Sequence, residues 1–113
     1  MISIADILMI VWTHFIADFI LQSTWMSNNK WESLKALGLH SFVYTIPFLY
    51  FGWLFALFNG VFHFLIDGCT SKITHELYNQ KAYHWFFVVI GFDQVIHMTI
   101  LFFSYWLICL AGV

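Results

Sequence analysis

Residues 4–21 read IADILMIVWTHFIADFIL, an apolar run carrying His14 and Asp18 in its second half. As a helix rising 1.5 Å per residue it is roughly 27 Å long, close to the ~30 Å hydrocarbon core of a bilayer. His14 and Asp18 are four residues apart, which puts them on one helix face, a turn from each other. Ionisable groups at bilayer depth are costly. They face the bundle interior and mark functional sites by default. The same spacing recurs in His63–Asp67 (HFLID) and, reversed, in Asp93–His97 (DQVIH); His40 is a seventh such residue inside an apolar stretch.

The composition agrees with a membrane setting. Of 113 residues, 62% are hydrophobic and 9% charged, against about 25% charged in an average soluble domain. A chain this short folds as one domain, 1–113, and is too small to bury so much apolar surface in a soluble core. Its basic residues are four lysines, with no arginine, so no nucleic-acid footprint is present. Cys69 and Cys109 lie in apolar segments and read as small buried hydrophobes. The first residues lack a basic region, which argues against a cleavable leader.

Three further stretches follow the first. A polar segment, 22–35, leads to a second apolar stretch at 36–58, where Pro47 should produce a kink. Asn59-Gly60 signals a turn. The third stretch, 61–73, is short for a span and continues as a more polar helix through Leu77; a re-entrant hairpin is the other reading. Asn79-Gln80-Lys81 breaks it, and 85–110 forms the last span. The expected fold is an all-α polytopic membrane protein, a four-helix transmembrane bundle with a short third helix.

Lys30, Lys35, Lys72 and Lys81 all fall in or beside the first and third connections. The positive-inside rule makes that side cytoplasmic and places both termini outside. Trp25, Trp31 and Trp85 then mark the inner interface, Trp53 and Trp106 the outer one. Counted from the cytoplasmic ends, Asp18, His40 and Asp67 lie roughly 6–8 Å deep, His14, His63 and Asp93 roughly 12–14 Å, and His97 about 19 Å. All four helices thus send ionisable groups towards one layer, as metal-binding helical bundles do. HFIAD and HFLID also hint at a weak internal repeat with an axis along the membrane normal.

Single residues in this set have plain readings. A lone intramembrane His hydrogen-bonds a neighbouring helix, and an isolated H-x-x-x-D is a His–carboxylate pair. The concentration of His14, Asp18, His40, His63, Asp67, Asp93 and His97 at matching depth favours a shared metal site. Gln22 and Gln94 adjoin the pairs as supporting donors. His75 and His84 read as solvated interfacial residues. Lys30 and Lys72 could bind an anionic headgroup, although the positive-inside rule already explains both.

THFIADFILQS at 13–23, a following Trp and Lys, His40, HFLID and FDQVIH together resemble a family of small bacterial and phage membrane proteins catalogued as domain of unknown function 3307. The similarity covers nearly the whole chain. It implies a polytopic membrane protein and supplies no activity. A looser likeness, in the scatter of His and Asp over short helices, is to small inner-membrane proteins described as metal-dependent hydrolases.

Two function classes compete. The first is an intramembrane metal-dependent hydrolase acting on a membrane lipid or lipid phosphate at the inner leaflet. One or two divalent ions, zinc or manganese, would be held by the seven residues, with His40 and Asp93 as candidate catalytic groups. The second is divalent-cation or proton transport, which a chain this small would perform as a homo-oligomer. A structural or regulatory subunit holding a structural metal is a third possibility. Water in an open coordination position separates a catalytic metal from a structural one.

Overall fold

The computed structural model describes residues 1–111. These residues form helices and turns, with no strand among them. Helix α1 (Ile4–Phe15) runs into a π-helical turn at Ile16–Ile20. A short helix α2 (Thr24–Asn29) follows, then α3 (Leu34–Phe48), which tightens to a 3-10 turn at Leu49–Phe51. Helix α4 (Trp53–Asn79) and helix α5 (Tyr83–Ser104), extended by a π-helical segment (Tyr105–Leu110), complete the bundle. Among these, α4 and α5 with its extension are long and apolar enough to cross a membrane.

The serines explain where the early helices begin. Ser3, Ser23 and Ser33 each accept a hydrogen bond from a backbone N–H three residues on, satisfying a donor the first turn leaves free. At Ser3 the Asp6 carboxylate returns the contact, completing a capping box.

Two sequence expectations are corrected here. The second helix does not run through residue 58, and Asn59-Gly60 is not a turn. Pro47 lies at the penultimate position of α3, where its missing N–H and ring end the helix rather than kink a longer one. The chain reverses at Gly52, whose φ of 121° suits glycine. Helix α4 then runs unbroken for 27 residues, so the third helix is long rather than short and is not re-entrant. Asn59 and Gly60 serve packing inside it. Asn59 Nδ2 donates to Phe55 O and to Ser104 Oγ on α5, and a Cβ at Gly60 would collide with the Thr45 side chain on α3. Lys81, with φ 60°, closes the break after Asn79 as expected. Cys69 is exposed rather than buried, while the Cys109 thiol donates to Phe51 O over 3.5 Å.

Each helix buries one stripe. On α4 it is Phe55, Ala56, Asn59, Gly60, His63, Asp67, Thr70 and Ser71; on α5 it is Asp93, His97, Leu101 and Ser104. Spacings of three and four define a single face. Helix α4 is the central element, packed on α3 and α5, while α1 packs against α3 and α5. At one level the stripes meet as an apolar core of Ile10, Tyr44, Phe48, Phe55 and Leu101. Towards the α2 end they meet as ionisable groups. Large apolar side chains such as Trp12, Phe42, Leu57, Phe92 and Val95 point outward. Buried polar residues outnumber buried apolar ones among the described residues, the reverse of a water-soluble core.

Candidate metal centre

All seven ionisable residues singled out in the sequence are buried, none more than 7% exposed, and they meet in one cluster. Asp18 comes from the π-helical turn of the first helix. Such a turn inserts one extra residue per turn and re-aims the side chains around it. His40 comes from α3, His63 and Asp67 from α4, and Asp93 and His97 from α5.

Four ligand-type atoms converge. His40 Nε2 lies 2.9 Å from His63 Nε2, 3.0 Å from Asp18 Oδ1 and 3.3 Å from Asp67 Oδ2. His63 Nε2 lies 3.6 Å from Asp18 Oδ1 and 3.7 Å from Asp67 Oδ2. A tetrahedral zinc with bonds of about 2.0–2.1 Å sets its ligand atoms roughly 3.3 Å apart. The five separations bracket that spacing. A single N–H on His40 Nε2 cannot point at three partners at once; a cation held by Asp18, His40 and His63, whose ligand atoms lie within 4.8 Å of one another, would relieve that competition.

Three overlapping trios could hold an ion. The ligand atoms of Asp18, His40 and His63, of His63, Asp67 and His97, and of Asp18, Asp93 and His97 each lie within 4.8 Å of one another. His97 Nε2 stands 3.2 Å from Asp93 Oδ1 but makes no hydrogen bond of good geometry. Asp93 is fixed by Thr70, whose hydroxyl donates to its Oδ1 over 2.6 Å. Ligating imidazoles usually donate their second nitrogen to an acceptor. Here His40 Nδ1 and His63 Nδ1 are buried without a partner among the described residues. The rings are held instead by stacking: His63 lies 3.9 Å from Tyr44 and 4.5 Å from His97 between centroids.

His14 is placed differently. Its Nε2 faces Gln94 Oε1 at 2.7 Å, so it donates there, and its Nδ1 then accepts from the Tyr44 hydroxyl at 2.9 Å. Both nitrogens are engaged and no lone pair is left for an ion. Gln94 passes the order on, its Nε2 donating to Asp93 Oδ2 at 3.1 Å and to Asp18 Oδ2 at 3.4 Å. His14 thus orients carboxylates rather than joining the four-atom group, and the two HFxxD-type motifs, HFIAD and HFLID, play unequal parts.

Lys30, read in the sequence as a positive-inside lysine that could also bind a headgroup, turns inward. Its Nζ lies 2.9 Å from Asp67 Oδ2. Tyr44 and Thr70 also went unnoticed in the sequence, although each has a signal: Tyr44 is four residues after His40 and Thr70 three after Asp67, on the same faces. Lys72 is exposed, away from the cluster, and Gln22 lines the neighbouring cleft with its Oε1 unpaired. His75 does more than meet solvent, stacking on Trp31 at 3.5 Å.

A cleft of about 660 Å³ leads to the cluster. Asp18, Asp67, Asp93 and Gln94 line its inner part, Lys30 and Thr70 its walls, and exposed Asn28 and Asn79 its rim. The arrangement can hold a divalent ion and admit a ligand beside it.

Fold and cluster together define a small all-helical protein with an apolar exterior and an ionisable interior. The chain belongs to the family described as "Protein of unknown function (DUF3307)", whose model matches residues 7–112. No curated protein and no solved structure matches it.

Proposed function

We propose that this chain is a four-span protein of the bacterial inner membrane, both termini outside, that hydrolyses a membrane lipid or lipid phosphate at a zinc- or manganese-type centre near the inner leaflet. The observation that carries the reading is the group formed by Asp18, His40, His63 and Asp67 at the inner end of a cleft. The four-span arrangement is supported by the outward-facing apolar side chains on every long helix and by the lysines at 30, 35, 72 and 81.

His and Asp side chains suit zinc or manganese. A divalent ion held there supplies Lewis acidity to a phosphoryl or acyl oxygen and makes water a usable nucleophile near neutral pH. His40, a ligand or base in this reading, would serve as a ligand, a role supported by its place beside Asp18 and His63. Asp93 faces the cleft with its orientation set by Thr70 and Gln94, so with a single ion bound it would be the base that accepts a proton from water. The Asp18, Asp93 and His97 trio offers a place for a second ion, as two-metal hydrolases use.

The test uses detergent-purified protein of measured metal content. It is given a panel of phospholipids and polyprenyl phosphates beside His40→Ala and Asp93→Asn. Turnover that requires metal and is lost in both variants supports the proposal. A metal-replete, inactive protein that carries divalent cations into liposomes would replace it with the transport reading.

A further inference from the structure

Lys30 closes the short helix α2, yet its side chain is only 16% exposed and its Nζ sits 2.9 Å from Asp67 Oδ2. That oxygen is also one of the four convergent ligand atoms, 3.3 Å from His40 Nε2. One carboxylate oxygen therefore faces two cation positions. An ammonium and a divalent ion sharing it would stand within about 4–5 Å of each other, where repulsion is strong in a poorly solvated interior.

We propose that Lys30 is a displaceable internal cation: a divalent metal at Asp67 drives its ammonium into the cleft, where it binds the phosphate group of an anionic ligand. The inference rests on the metal-site reading above. Lys30 is the one lysine lining the cleft, set among Asp18, Asp67 and Asp93. Three carboxylates repel an anion until a metal neutralises them. A lysine stem has four carbons and a compact head, so it can swing from a carboxylate to a nearby phosphate without moving α2. Metal and phosphate then favour each other, and the coupling is reciprocal.

The experiment titrates zinc into detergent-purified wild type, Lys30→Met, Lys30→Gln and Lys30→Arg. Inorganic phosphate is then titrated into the zinc-loaded proteins, and micelles with or without phosphatidic acid form a second arm. Loss of the competing charge should tighten zinc binding roughly tenfold in Lys30→Met and Lys30→Gln, while phosphate binding weakens roughly tenfold, within the usual range of coupling. Lys30→Arg should retain phosphate binding. A stronger response to phosphatidic acid than to free phosphate assigns the phosphate to a lipid; the reverse assigns it to a soluble ester. A lysine that merely props the fold would weaken zinc and phosphate together, and that result, or no change in either, overturns the proposal. Wild type that binds no zinc overturns the metal site itself, a distinct failure.

Discussion

Asp67→Ala, compared with Asp6→Ala, separates an interior counter-charge from a surface cap. Asp67 is 5% exposed at its side chain and holds Lys30 at 2.9 Å, with His40 and His63 at 3.3 and 3.7 Å. Truncation leaves a largely buried ammonium without a partner. Removing one member of a buried pair costs about 3–5 kcal/mol. The lysine can turn towards the cleft, which places the loss near the lower end, about 3 kcal/mol. For a chain of about this size each kcal/mol moves the midpoint by about 4–8 °C, so a drop of roughly 12–24 °C is expected. Asp6 is a solvated capping-box residue, and its removal should shift the midpoint only slightly. The assay is thermal unfolding in detergent by circular dichroism, with metal content measured on the same samples. Asp67→Ala should lose bound metal and Asp6→Ala should keep it. Adding Lys30→Met to Asp67→Ala should recover part of the stability, because the orphaned charge is gone. Equal midpoints and equal metal content in the two single variants would refute the reasoning.

His14→Ala and His40→Ala should differ in kind. His14 acts through Gln94 and Tyr44, so its loss should weaken metal binding by about 10- to 100-fold, the usual effect of a supporting partner. Loss of His40 should abolish measurable binding at micromolar zinc; calorimetric titration of both variants decides. For orientation, single cysteines at Asn28 and Asn79, in a background with Cys69 and Cys109 replaced, should be labelled only after the membrane is opened, and labelling of both in intact cells would reverse the topology.

The sequence made the interior legible and misplaced one helix boundary. His–Asp spacing of four survives as contact because a helix face is a local property, fixed by 3.6 residues per turn. The meeting of residues from separate helices was also foreshadowed, through depth counted from the lysine-bearing connections. The boundary between α3 and α4 failed because Asn-Gly is a turn signal only when solvent or a loop receives it. Here Asn59 spends its amide on Phe55 O and Ser104, and Gly60 lets α3 approach α4 closely. The actual reversal rests on Pro47 and Gly52 acting five residues apart, neither decisive alone. Lys30 could not have been read as the partner of Asp67, since 37 positions and a short unforeseen helix separate them.

What the interior costs bears on what it is for. Three carboxylates, four imidazoles and an ammonium are gathered where apolar side chains would pack the same helices with no desolvation penalty. Replacing buried ionic groups with hydrophobic ones is often neutral or stabilising. The apolar core from Ile10 to Leu101 already holds the bundle at the other level. A structural metal would be best served by a closed set of four ligands. This cluster instead has more donors than one ion needs, a trio of Asp18, Asp93 and His97 beside the first group, and a cleft reaching its carboxylates. Excess donors and an open side are features of a centre that exchanges a ligand. The energetics of this interior therefore favour the proposed hydrolase over a purely structural metal.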